Sequence, residues 1–213
     1  MIGRTKEVAE LTELYESDEA QLIAIYGRRR IGKTYLVEQT FKNKFAFKHA
    51  GLSPVEQGKN GMLEAQLKHF YNSMKTYGLD TEPCPTNWLD AFFLLQQLLE
   101  KKDDGSRQVV FIDELPWLDT ARSGFITAFE GFWNNWGSGR DNLMVIVCGS
   151  ANSWMLDKLI NNHGGLYDRV TYEIKLSPFT LGECEELFKK NKVKLSRYDI
   201  AQSYMAVGGV PYY

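Results

Sequence analysis

Leu22-Ile23-Ala24-Ile25-Tyr26-Gly27-Arg28-Arg29-Arg30-Ile31-Gly32-Lys33-Thr34 joins a short apolar run to the pattern G-x-x-x-x-G-K-T. The run reads as a buried strand, and the pattern after it as a phosphate-binding loop that opens a helix. Gly27 and Gly32 let the backbone curl until successive N–H groups face one anionic centre, and the helix beginning near Lys33 adds the positive end of its dipole. Lys33 supplies a flexible cation for β- and γ-phosphates, and the Thr34 hydroxyl is a magnesium ligand. Arg28, Arg29 and Arg30 lie inside the loop with two readings open: contact with phosphate or nucleic acid, or a solvated basic turn.

On either side of this stretch the apolar periodicity alternates between helix and strand. Val8, Leu11, Leu14 and Tyr15 share one face of a helix over residues 7–15. Tyr35, Leu36 and Val37 continue the loop helix toward Phe41, and Lys44–Lys48 alternates as a strand. A polar loop over 52–62 precedes a helix from Leu63 to Met74, a second loop around Glu82-Pro83-Cys84-Pro85, and a helix from Trp88 to Lys101. Strands follow at Gln108–Ile112, Leu143–Cys148 and Tyr172–Leu176, with a helix over Phe125–Trp136 between the first two. Five strands that read as nearly unbroken apolar runs, alternating with helices, predict an α/β fold with a parallel sheet covered on both faces. From residue 179 the pattern turns helical, Leu181–Asn191 and Arg197–Val207, so the expected division is a domain over 1–178 and a small lid over 179–213. The apolar positions Leu187, Val207 and Val210 look too numerous for so short a lid to enclose, and Gly208-Gly209-Val210-Pro211 reads as a turn toward a further helix. The lid is therefore expected to be incomplete.

Val109-Val110-Phe111-Ile112-Asp113-Glu114 carries the second piece of chemistry. An apolar strand ending in Asp113 presents a carboxylate to magnesium, and the adjacent Glu114 can orient and deprotonate an attacking water. The fourth strand runs into Gly149-Ser150-Ala151-Asn152, where Ser150 or Asn152 can reach a γ-phosphate or serve as a helix N-cap. Gly164-Gly165-Leu166-Tyr167-Asp168-Arg169 stands before the fifth strand. Arg169 there can reach the γ-phosphate of a neighbouring subunit or pair locally with Asp168 or Glu173. Trp133 and Trp136, at helical spacing from Phe129 and Phe132, read as core.

The 213 residues are 44% hydrophobic and 24% charged, with a net charge of −2. That composition lacks the overall basic excess of a dedicated nucleic-acid binder, so any such contact needs a local patch. A charged N-terminus without an apolar core excludes a signal peptide, no run is long enough for a membrane span, and a cytoplasmic protein is expected. Cys84, Cys148 and Cys184 are scattered, as are His49, His69 and His163, so packing thiols are expected and none of these residues is assigned to a metal. No N-K-x-D follows Asn43-Lys44 or Asn191-Lys192, which argues against guanine.

Ile2-Gly3-Arg4-Thr5-Lys6-Glu7, the arginine-rich loop at 27–34, Phe111-Ile112-Asp113-Glu114-Leu115-Pro116-Trp117-Leu118, Cys148-Gly149-Ser150 and Gly208-Gly209-Val210-Pro211-Tyr212 together resemble the AAA+-like P-loop ATPases of archaea and bacteria, within or close to the STAND group. The resemblance covers essentially the whole chain. It implies a five-stranded ASCE core and a helical lid, adenine against the Ile2-Gly3-Arg4 backbone, and Arg169 at the position of the arginine finger. Tyr35 joins Gly27–Thr34 in the implied nucleotide site. No sensor-2 arginine stands before Tyr213, a departure from the pattern. The expected cofactors are ATP or ADP with magnesium, and the expected activity is ATP hydrolysis that moves a lid, a protein partner or a second copy of the chain. A nucleotide-dependent scaffold of negligible turnover is the alternative, and a small-molecule kinase is disfavoured by Glu114.

Overall fold

The computed structural model describes residues 1–53, 62–80, 82–150, 152–161, 166 and 168–212. Its centre is a five-stranded parallel sheet in the order β2-β3-β4-β1-β5. The strands are β1 (Gln21–Tyr26), β2 (Phe45–Ala50), β3 (Gln108–Asp113), β4 (Leu143–Gly149) and β5 (Tyr172–Lys175). The helices are α1 (Thr5–Glu16), α2 (Lys33–Thr40), α3 (Met62–Thr76), α4 (Trp88–Lys101), α5 (Phe125–Asn135), α6 (Leu181–Lys190) and α7 (Arg197–Val207). A short helical turn at Asn152–Trp154 runs into a π-helical stretch, Met155–Ile160. The described elements thus follow the predicted order, with ends displaced by one or two residues.

The side-chain alternation of each strand sorts the core into two layers. Leu22, Ala24, Val110, Ile112, Val145 and Val147 face α3, α4, α5 and the 152–160 helix. Ile23, Ile25, Val109, Phe111, Met144 and Ile146 face α1 and α2. Both faces are covered, which is why the interior positions of β1, β3 and β4 are apolar and Gln21, Gln108 and Asp113 stand only at strand ends. In α4 the periodicity discriminates finely: Phe92 and Leu95 are buried while Phe93 is 56% exposed. The Asn87 side chain accepts the Asp90 N–H at 2.9 Å and caps that helix. Of the predicted tryptophan pair, Trp133 is buried and Trp136 half-buried, its indole N–H donating to Glu100 at 2.7 Å.

One correction falls in the last segment. Thr180 and Ser196 form capping boxes that start α6 and α7, and Gly208 ends α7 in the left-handed conformation. Over residues 209–212 the chain then turns back onto the residues that precede α6. The Gly209 carbonyl accepts the Phe179 N–H at 2.8 Å, and a Cβ on Gly209 would stand 2.1 Å from the Phe179 carbonyl oxygen. Val210, expected to be left open, is buried with the Ile31, Leu36 and Leu176 layer of the sheet domain. Burying a valine contributes about 1.5 kcal/mol, and here it fastens the turn after α7 to the sheet. Leu187 and Val207 are half-buried, whereas Tyr198 and Met205 remain exposed. Much of the polar loop expected over 52–62 lies outside the described residues.

One buried group sets a pH limit on this core. His49, on β2, is 2% exposed and lies 4.9 Å from both the Phe70 and His69 ring centres. Its Nδ1 is 2.9 Å from the Ser73 hydroxyl, which donates to the His69 carbonyl, and Nε2 has no partner. Burial first, and the neighbouring His69 second, lower its pKa from 6.5 to about 3. Between those values the unfolded chain binds a proton that the folded one refuses. His49 therefore costs no stability above pH 6.5, and its cost grows as pH falls toward about 3, at up to about 1.4 kcal/mol per pH unit. Urea unfolding across that window should show the loss, and His49→Phe should flatten the slope.

Candidate functional site

The parallel register brings three strand ends to one edge. Tyr26 of β1 pairs with Gly149 of β4, and Ile112 of β3 pairs with Val147 of β4. The phosphate loop, Asp113-Glu114 and Gly149-Ser150 therefore meet above the sheet. Gly27, at φ 145°, passes so close to the β5 exit that a Cβ would stand 2.4 Å from the Leu176 carbonyl oxygen. Gly32, at φ 93°, holds a backbone conformation that residues with a Cβ rarely adopt, although a Cβ there would meet no atom within 4 Å. Arg30 also takes a left-handed φ, 69°.

Lys33 starts α2 and is only 6% exposed. Its ammonium donates to the Gly27 and Arg28 carbonyls, each at 3.1 Å. Burial lowers its pKa, against the opposing influence of Cys148, Glu114 and Asp113. The Thr34 hydroxyl donates to Asp113 at 2.5 Å, while the other Asp113 oxygen accepts the Glu114 N–H at 2.9 Å. This hydroxyl and carboxylate form a hard oxygen pair beside a phosphate cradle, which fits magnesium: the ion takes few protein ligands and fills its shell with phosphate and water. Glu114 adopts a left-handed backbone at φ 48°, and its carboxylate accepts the Ser150 hydroxyl at 3.0 Å. Ser150 thus faces the proposed water-activating group. Ala151 and the side chain of Asn152 lie outside the described residues.

Lys33, Thr34, Tyr35 and Glu114 line a cavity of about 540 Å³ together with the N-terminal Ile2 and Arg4. Its far wall comes from Phe179, Leu187, Asn191, Pro211 and Tyr212, most of which sequence reasoning left unassigned. Gly208–Tyr212 was the available signal, but its doubling back is visible only in three dimensions. Arg4 is 5% exposed and braces this wall. It donates to the Ser177 carbonyl at 2.7 Å and the Ile31 carbonyl at 3.3 Å, and stacks over Phe179 at 4.8 Å. Gly3 abuts Glu183 of α6, where a Cβ would stand 2.7 Å from the carboxylate. Arg28, Arg29 and Arg30 are exposed; Arg29 lies 5.9 Å over Trp117 and Arg30 4.6 Å over Tyr212.

Arg169 is elsewhere. It precedes β5 at the opposite edge of the sheet, where neighbouring Thr171 pairs with Leu22 at the start of β1, and it is exposed. No ion pair joins it to Asp168 or Glu173 among the described residues. Gly164, Gly165 and Tyr167 of its motif lie outside those residues. A larger groove of about 850 Å³ beside α3 carries none of the phosphate-handling groups.

A phosphate loop and an acidic strand tip, flanking the central strand of this sheet, define a P-loop ATPase fold of the AAA+-like kind. The family described as an ATPase domain predominantly from Archaea matches residues 1–213, and the chain belongs to it. An uncharacterized protein of Methanocaldococcus jannaschii is 29% identical over 216 residues, covering 100% of this chain and 43% of that protein. The chain therefore spans less than half the length of that relative. Among solved structures, the Walker-type ATPase of Pyrococcus abyssi superposes with a TM-score of 0.64 at 18% identity, over 99% of this chain and 65% of that one. A STAND protein of Pyrococcus horikoshii with a tetratricopeptide repeat sensor gives 0.54 at 19% identity, over 99% and 28%. At such identities the likeness concerns the fold. No helix among the described residues is long and apolar enough to cross a membrane.

The position of Lys33 makes a direct prediction. Its ammonium is the buried cation of the cradle, so Lys33→Ala should weaken ATP binding at least about tenfold, or about 1.4 kcal/mol. Calorimetric titration of wild type and variant checks this; equal affinities would remove the loop from the binding site.

Proposed function

We propose that the chain binds ATP with magnesium and hydrolyses it slowly, using the change of nucleotide to move the α6–α7 lid or a partner. The observation that carries this reading is the convergence of Lys33, Thr34 and Glu114 on one cavity, with Asp113 hydrogen-bonded to Thr34 and Ser150 to Glu114 behind them. In it Lys33 and the loop N–H groups hold the phosphates, and Thr34 with Asp113 hold magnesium, which supplies Lewis-acid stabilisation of phosphoryl charge. Glu114 takes the proton of the attacking water, and Ser150 orients the Glu114 carboxylate. Adenine lies in the apolar end between Ile2 and Phe179 on one side and Leu187 and Pro211 on the other. The Asn191 amide at that end can donate and accept, as an adenine edge requires. Residues 179–213 then act as the lid over a domain of residues 1–178. We place the activity in the cytosol, in keeping with three free cysteines.

Glu114→Gln tests the assignment, because the amide keeps shape and hydrogen bonding but cannot take a proton. ATP affinity should stay near wild type while phosphate release falls roughly 10²–10⁴-fold. Turnover at the wild-type rate would place the base elsewhere. A second reading, a nucleotide-dependent switch with negligible turnover, is favoured by the bond that already engages Glu114 with Ser150. Wild-type phosphate release no faster than uncatalysed hydrolysis of ATP would select it.

Arg169 belongs to this proposal as a residue acting in trans, since it is exposed and remote from its own cavity. Neither Lys33→Ala nor Arg169→Ala should then hydrolyse ATP efficiently alone. Mixed, they should regain part of the activity, because an intact Arg169 from one chain can serve the intact Lys33 site of the other. No recovery at any concentration would leave Arg169 a surface residue.

A further inference from the structure

Gln66 is wholly buried in the middle of α3, and no role in phosphate chemistry accounts for it. A buried primary amide is retained only where its donors and acceptor all find partners. Here they do so on two separate loops. The Gln66 Oε1 accepts the Leu52 N–H at 3.0 Å, and Nε2 donates to the Leu52 carbonyl at 2.8 Å and to the Trp117 carbonyl at 2.9 Å. Leu52 follows the end of β2, and Trp117 closes the 3₁₀ turn after β3.

Both contacts lead to Glu114. The Trp117 N–H donates to the Glu114 carbonyl at 2.9 Å, closing the turn that keeps Glu114 in its left-handed conformation. Next to Leu52, Gly51 donates its N–H to the Asp113 carbonyl at 3.0 Å. A Cβ on Gly51 would stand 2.9 Å from the Glu114 carbonyl oxygen, so only a glycine lets the two backbones approach this closely. One side chain thus holds the two backbone segments that flank the Asp113–Glu114 peptide.

We propose that Gln66 is a positioning residue for hydrolysis, fixing the pose of the Glu114 carboxylate through the backbone of Trp117 and Leu52. This rests on the reading of Glu114 as the base. Gln66 lines neither the phosphate cradle nor the adenine end, so its loss should leave binding intact and act on turnover alone.

The test is steady-state ATP hydrolysis by Gln66→Met, a variant of similar length without the amide, with ADP affinity measured by calorimetry and folding by thermal unfolding. The expected result is kcat lowered roughly ten- to hundredfold, as for a displaced catalytic group, with KM and ADP affinity within about twofold of wild type. Should Gln66→Met not fold, Gln66→Asn decides in the same assay: it keeps a buried amide but, one methylene shorter, cannot span Leu52 and Trp117 together. An unchanged kcat in a folded variant, or losses of kcat and ADP affinity in parallel, would overturn the proposal. Glu114→Gln, run alongside, separates the two readings. Inactive Glu114→Gln beside fully active Gln66→Met would overturn the positioning role alone, whereas active Glu114→Gln would overturn the base assignment on which it rests.

Discussion

The hydrogen bond from Thr34 to Asp113 joins α2 to the tip of β3, although β4 lies between β1 and β3 in the sheet. It can form only if the three strands end at nearly the same height. Their parallel register provides this, with Tyr26 opposite Gly149 and Ile112 opposite Val147. The intervening strand must also end without bulk. Gly149 meets this condition, since a Cβ there would press on Met155 at 2.6 Å and Pro116 at 2.9 Å. A one-residue slip of β3 would turn its apolar side chains to the wrong layer and carry Asp113 away from Thr34 together. Core packing and site geometry are therefore specified by the same register.

What the sequence discloses depends on how local the interaction is. The phosphate loop is eight consecutive residues whose glycines, lysine and threonine act on one another's neighbours, so spacing alone reveals it. Asp113 and Glu114 are legible because a fully buried strand has to stop at them. The apolar end of the cavity joins residues 2, 179, 187 and 211, and no periodicity links such positions. Gln66 is harder still. On a helical wheel a glutamine reads as solvent-facing, and its partners Leu52 and Trp117 are 14 positions before and 51 after it. The course of Gly208–Val210 was hidden for the same reason: a left-handed glycine ends a helix whether the chain then departs or doubles back.

Two of the six non-glycine residues with left-handed backbones among the described residues stand where the chemistry is read. Arg30 and Glu114 are non-glycine residues with left-handed backbones, one in the cradle and one at the acidic tip. Each such conformation costs on the order of 1 kcal/mol or more unless neighbouring contacts hold it. At Glu114 the holding contacts are the Asp113 carboxylate on its N–H and the Trp117 N–H on its carbonyl. A glycine at this position would relieve the strain and discard the carboxylate. Retaining the side chain requires a brace, and the buried amide behind the turn is well placed to provide it.

Every polar side chain assigned to the triphosphate already has a protein partner. Lys33 is held by two carbonyls, Thr34 by Asp113, and Glu114 by Ser150. Nucleotide binding therefore exchanges hydrogen bonds rather than creating them, and the net gain is a difference between two satisfied states. For Lys33 the exchange is strongly favourable, because a buried ammonium is better matched by anionic phosphate than by neutral carbonyls. For Glu114 the reverse holds, since its carboxylate gains nothing from added negative charge nearby. On the proposed function, a γ-phosphate would set attraction at Lys33 against repulsion at Glu114 where a diphosphate would not, and Ser150, bonded to Glu114, would stand beside the group at which the two nucleotides differ.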